Sequence, residues 1–214
     1  MYDLTLRPLK DRLFDPLSHR IPARISPTHI TAAAFALGAA ACLAAALSRP
    51  RTALALWLAN RALDCLDGAV ARYRSQASDL GGFLDLLGDF VVYAAVPVCC
   101  ALGAGGGEKV WRAVAVVEAG FFLNNFVLFF GAAVAERRRA EGARGVAGAS
   151  TASEEELTSV SMRPALVEGL ESGVAFTLML AWPRYTEMWC WVLAAGVAVG
   201  TVQRVTWTVR ALKA

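Results

Sequence analysis

Long apolar stretches dominate the chain, at about 30–48, 52–73, 80–103, 110–134, 165–182 and 187–211. Each is long enough to cross a hydrocarbon core of about 30 Å as a helix. The connections around Ser48 to Arg51 and around Pro183 are short, so the helices that they join are expected to be antiparallel neighbours. Ahead of the first stretch, Met1 to Ser26 sets Leu4, Leu6, Leu9, Leu13, Phe14, Leu17 and Ile21 among Arg7, Lys10, Arg12, Arg20 and Arg24. That mixture predicts a short amphipathic helix in the membrane interface, although Pro8, Pro16 and Pro22 also suit a basic leader without fixed structure. A polar stretch at about 136–163 reads as an exposed loop, in which Ser153 to Glu156 is suited to capping a short helix. The pattern therefore predicts an all-α membrane protein: an interfacial segment over 1–26 and one six-span domain over 27–214.

Composition agrees with this reading. Hydrophobic residues make up 57% of the 214, charged residues 18%, and the mean hydropathy is +0.47, too apolar for an ordinary soluble domain. The net charge of +3 is small and the arginines border apolar stretches, which argues against a nucleic-acid partner and for membrane lipid headgroups. Arg and Lys accumulate before the first span, at Arg72 and Arg74, at Arg137 to Arg139 and at the C-terminal end, which predicts both termini in the cytoplasm. The second-to-third connection would then face the cytoplasm too. Cys42, Cys65, Cys99, Cys100 and Cys190 lie within the spans without metal-ligand spacing and read as small apolar packing residues. The first thirty residues lack the apolar core of a cleavable signal.

The chemistry concentrates in the second and third spans. Asp64, Asp67, Asp85 and Asp89 sit in otherwise apolar helix, where a buried carboxylate costs several kcal/mol unless a cation or donor compensates it. On a helix, Asp64, Asp67, Gly68, Ala71 and Arg72 fall within an arc of roughly 140°, and Gly81, Asp85 and Asp89 share a face at intervals of four. Two such faces joined by a short turn can gather four carboxylates around one cavity. Carboxylates without His or Cys select hard cations, so Mg²⁺ or Mn²⁺ is expected, and four of them suit a pair of ions that clamps a diphosphate. Gly68 and Ala71 leave room for a bulky group beside the helix, and Arg72 offers a fixed charge for a phosphate oxygen.

Asp64-x2-Asp67-Gly68-x2-Ala71-Arg72-x8-Gly81-x3-Asp85-x3-Asp89 resembles the full signature of the CDP-alcohol phosphotransferases, also called CDP-alcohol phosphatidyltransferases. The resemblance implies transfer of a phosphatidyl group from CDP-diacylglycerol, or a related CDP-lipid, to a small or lipid alcohol, with release of CMP. It implies two ions held by Asp64, Asp67, Asp85 and Asp89, a cytidine site at Gly68, Ala71 and Gly81, and Arg72 on the donor phosphates. Asp89 would be the general base, and the enzyme is expected to be a homodimer with its site facing the cytoplasm.

Two other readings use intramembrane aspartates: a prenyl-diphosphate transferase and a small ion or proton transporter. The prenyl-diphosphate transferase would not need the pattern Gly68, Ala71, Arg72 and Gly81, and no internal repeat of the transporter kind is present. Asn60 and Arg61 lie one turn before Asp64 and are candidates to line the cavity, while Arg61 could equally offset the carboxylates' charge. Glu118, Asn124, Asn125, Glu168, Glu171, Gln203 and Arg204 stand at membrane depth, as candidates either to read the acceptor or to bond helix to helix. The Phe121 to Phe130 group reads as a lipid-facing surface.

Overall fold

The computed structural model describes residues 14, 16–145 and 169–213. They form six helices: α1 (Pro27–Ala46), α2 (Pro50–Tyr73), α3 (Asp79–Gly103), α4 (Glu108–Gly145), α5 (Gly169–Ala181) and α6 (Thr186–Lys213), with a 3₁₀ turn at Pro183–Tyr185. No strand occurs among the described residues. Helices α1, α3, α4 and α6 are long and apolar enough to cross a membrane, which makes the chain a multi-pass integral membrane protein. Helix α2 matches them in length but carries Arg51, Arg61, Asp64, Asp67 and Arg72. Helix α5 is short, and the start of its expected span, like most of the expected interfacial segment, lies outside the described residues.

Local chemistry sets the helix ends. Ser26 caps α1 through a reciprocal box, its hydroxyl taking the His29 N–H while His29 Nδ1 takes the Ser26 N–H, both at 3.3 Å. Ser78 caps α3 by accepting from the Gly81 N–H at 3.1 Å. The turn between α2 and α3 passes through Ser75 at a positive φ of 52°. Below it Arg74 donates to the carbonyls of Ile25 at 2.6 Å and Ile21 at 2.7 Å, which ties the residues before α1 to the end of α2. Helix α4 runs on to Gly145, past the end expected near residue 134, because Glu136 to Glu141 is built of strong helix formers. The first part of the expected polar loop is thus helical, and the remainder lies outside the described residues. Arg138 donates to the Ala211 carbonyl, which joins the ends of α4 and α6.

The core forms around the fully buried side chains of Trp57, Phe176, Met179, Leu180 and Val96, with residues of all six helices contributing. Helix α1 packs most extensively on α2 and then on α3, and α4 packs on α6. Phe122 and Phe126 point outward at 75% and 63% exposure, as a lipid-facing surface requires. Phe121 does not: it packs against the core, its ring 6.3 Å from that of Phe176.

Candidate active site

Helices α2 and α3 meet through side chains, Trp57 against Tyr93 and Arg61 on Asp89, so later residues of α2 stand opposite earlier residues of α3. Asp64 on α2 and Asp85 and Asp89 on α3 face one another across this interface, close enough to interact electrostatically. Asp67 sits one turn beyond Asp64, only 6% exposed, where its Oδ2 accepts from the Thr31 hydroxyl of α1 at 2.6 Å. Asp64 and Asp89 remain partly open, at 24% and 30% side-chain exposure.

Among these carboxylates stands one guanidinium. Arg61 Nη2 donates to Asp89 Oδ1 at 2.5 Å, and Nη1 lies 3.5 Å from Asp64 Oδ2. Arg61 thus takes the charge-offsetting role open to it in the sequence. Asn60 does not line the cavity: it is 2% exposed and turns inward, donating to the Ala34 carbonyl of α1 at 2.8 Å. Arg72 is exposed and folds back over Gly68, whose absent Cβ would stand 3.2 Å from Arg72 Nη1. Gly81 lies in the first turn of α3 beside the Ser78 cap, and Ala71 is half-buried on α2.

As the side chains stand, no three Asp, Glu, His or Cys groups among the described residues form a closed metal-ligand set. Internal donors have engaged them: Thr31 holds Asp67, and Arg61 lies between Asp64 and Asp89. The donor set nevertheless fits a hard divalent cation. It consists of oxygen ligands alone, and four acids gather in a half-buried place, where a divalent cation would offset their charge. Asp64, Asp67, Asp85 and Asp89 are the residues that could hold such ions.

Sequence reasoning did not find Thr31, Trp57 or Tyr93. Thr31 gives no local signal, since it belongs to another helix. Trp57 and Tyr93 could have been found by spacing, because Trp57 precedes Arg61 by one helical turn and Tyr93 follows Asp89 by one. Of the other polar groups, Asn124 and Arg204 are buried on α4 and α6, and Glu118 lies beside Cys190 of α6. Glu118 Oε1 and Asn124 Oδ1 are buried without a hydrogen-bond partner among the described residues. Glu168 lies outside the described residues.

Comparison with known proteins bears on the fold and the family. Inner membrane protein YnjF of Escherichia coli is 48% identical over 73 residues, 34% of this chain and 35% of that protein. Archaetidylinositol phosphate synthase of Methanothermobacter thermautotrophicus is 39% identical over 79 residues, 37% of this chain and 40% of that protein. These matches span well under half the length of either relative. The fold is shared with the crystal structure of Mycobacterium tuberculosis phosphatidylinositol phosphate synthase (PgsA1) with CDP-DAG bound, at a TM-score of 0.66 and 19% identity, covering 92% of this chain and 94% of that one. The family model described as CDP-alcohol phosphatidyltransferase matches residues 24–202, which take in every helix that contributes to the carboxylate cluster. The chain belongs to the CDP-alcohol phosphatidyltransferase family.

Proposed function

We propose that this protein transfers a phosphatidyl group from CDP-diacylglycerol, or a closely related CDP-lipid, to an alcohol and releases CMP, as a step of phospholipid synthesis. It does so as a homodimer of six-span subunits, each a single domain over 27–214 behind an interfacial segment at 1–26, with the site open to the cytoplasm. The observation that carries the reading is the meeting of Asp64, Asp85 and Asp89 across α2 and α3, with Gly68 and Arg72 beside them. Family membership adds weight to it and decides against a prenyl-diphosphate transferase or an ion pathway.

Each residue then has a task. Arg72, lying over Gly68, meets a donor phosphate oxygen, while Gly68, Ala71 and Gly81 give the cytidine room beside the backbone. Two Mg²⁺ or Mn²⁺ ions, held by Asp64, Asp67, Asp85 and Asp89, would neutralise the donor's diphosphate and stabilise CMP as it leaves. Asp89, the most open of the carboxylates whose exposure is given above, takes the acceptor's hydroxyl proton. The acceptor oxygen bonds to the phosphorus of the phosphatidyl group as the bond from that phosphorus to CMP breaks. The acyl chains stay in lipid throughout.

The test is CMP release by the purified full chain in detergent with CDP-diacylglycerol and Mn²⁺, offered glycerol 3-phosphate, inositol 1-phosphate, serine and phosphatidylglycerol in turn. One of these alcohols should be consumed with stoichiometric CMP, and chelation of the metal should stop the reaction until Mg²⁺ or Mn²⁺ is restored. Absence of CMP release with every alcohol would overturn the reading.

A further inference from the structure

Arg61 is no part of the signature running from Asp64 to Asp89, yet its guanidinium lies inside the cluster that the signature builds. Several groups besides the carboxylates hold it in place. Nε donates to Asn60 Oδ1 at 2.8 Å and Nη1 to the Tyr93 hydroxyl at 3.2 Å. The guanidinium carbon lies 4.9 Å from the ring centre of Trp57 and 5.3 Å from that of Tyr93. Its holders are themselves held. Asn60 is anchored to the Ala34 carbonyl of α1, the Trp57 indole donates to Thr177 Oγ1 of α5 at 2.8 Å, and the Tyr93 hydroxyl donates to the Gly169 carbonyl of α5 at 3.3 Å. Helices α1, α2, α3 and α5 thus converge on one cation.

That arrangement exceeds what an interfacial anchor needs. An anchoring arginine extends its head toward water on a flexible stem, whereas this one is 22% exposed, set against the Trp57 and Tyr93 rings with its Nε bonded to Asn60. Loose charge compensation needs no orientation either. A planar fork held on several sides imposes a direction on the carboxylate that it binds. With Asp89 Oδ1 bonded to Nη2, the plane of the carboxylate is set, and with it the direction that its other oxygen faces.

We infer that Arg61 is a positioning residue for Asp89: it grips one carboxylate oxygen and so directs the other toward the acceptor alcohol. This rests on the reading of Asp89 as the general base. Arg61 does not touch the reacting atoms; it fixes the group that does.

The experiment uses the full chain in detergent with CDP-diacylglycerol, Mn²⁺ and the alcohol that the wild-type protein consumes. Arg61→Met keeps the apolar stem and removes the fork, and it should lower kcat about 100-fold, the scale of a misplaced catalytic group. KM for CDP-diacylglycerol should stay within about threefold of wild type, because Gly68, Ala71, Arg72 and Gly81, which take the donor's cytidine and phosphates, are untouched. Arg61→Lys should recover part of kcat. Arg61→Ala should regain turnover, saturably, on addition of millimolar guanidinium, which should do nothing for Asp89→Asn. If Arg61→Ala does not fold, the division between kcat and KM in Arg61→Met and Arg61→Lys decides the matter. Arg61→Met with near-wild-type kcat would overturn the positioning role alone, as would a loss confined to KM for the donor. Undiminished turnover by Asp89→Asn would instead remove the base assignment and the positioning role with it.

Discussion

The same three helices, α1, α2 and α3, meet in opposite ways at their two ends. At the end away from the carboxylates, backbone touches backbone. A Cβ on Gly103 of α3 would stand 1.9 Å from the Ala45 carbonyl oxygen of α1, and the Ser48 hydroxyl donates to the Gly103 carbonyl at 2.6 Å. A cavity of about 160 Å³ lies beside this contact, lined by Ala45, Ser48, Pro50, Cys100, Gly103, Leu180 and Pro183. At the carboxylate end the helices are joined by side chains: Thr31 to Asp67, Asn60 to Ala34, and Arg61 to Asp89. The difference is one of purpose. Small residues let the far end lock by close backbone approach, with the Ser48 hydroxyl as a polar tie, which holds the near end in register while leaving Asp64 and Asp89 partly open. A polar network alone would be a poor anchor in lipid, where each unsatisfied member is costly.

This contrast predicts that activity and stability can be damaged separately. The largest effect should come from Asp89→Asn, which is expected to lower turnover by about 10³-fold while the protein stays folded and monodisperse in detergent. Turnover within tenfold of wild type would show that the open end does not work through Asp89. Next in size is Gly103→Ala, where the added methyl meets a backbone carbonyl and α1 must move. A cost of about 1–3 kcal/mol is expected as a lower midpoint in thermal unfolding, with kcat per folded molecule unchanged. Loss of kcat in the folded fraction would mean that the two ends are not separable.

Asn60→Ala sharpens the comparison, since Asn60 belongs to the site end yet acts by anchoring. It should lose about 1–3 kcal/mol, because the Ala34 carbonyl is left without its side-chain donor, and kcat should fall about tenfold as Arg61 loses its Nε partner. A change in stability without a change in kcat would detach Asn60 from the site. The smallest effect is expected for Ser48→Ala, which removes one exposed hydrogen bond at the far end. It should lower stability by about 1 kcal/mol and leave turnover at the wild-type level.

Much of this was legible in the residues before any fold was known. The apolar stretches announced the helices, and the spacing of Asp64, Asp67, Gly68, Ala71 and Arg72 announced one face of α2. Helix boundaries were less legible where propensity and hydropathy disagree. Glu136 to Glu141 is polar enough to leave the membrane and still helical enough to extend α4. The place of His29 in the cap of α1 depends on the Ser26 geometry, which residue types alone do not fix. Phe121 was expected to face lipid with its neighbours, but α4 presents it to Phe176.

The sequence by itself determined which groups the site contains, because helical periodicity fixes which side chains of one helix share a face. It could not determine what those groups touch on other helices. Thr31 and Asp67 are 36 residues apart, and Trp57 and Thr177 are 120 apart. Asn60 and Arg61 are chain neighbours with different fates, one turned into the α1 interface and the other fixed among the carboxylates. Those choices depend on the distances between helix axes, which close approach at Gly103 and Gly38 sets, and on the cost of leaving any polar group unpaired in an apolar bundle. Only the packed structure, where all four helices around Arg61 are present together, resolves them.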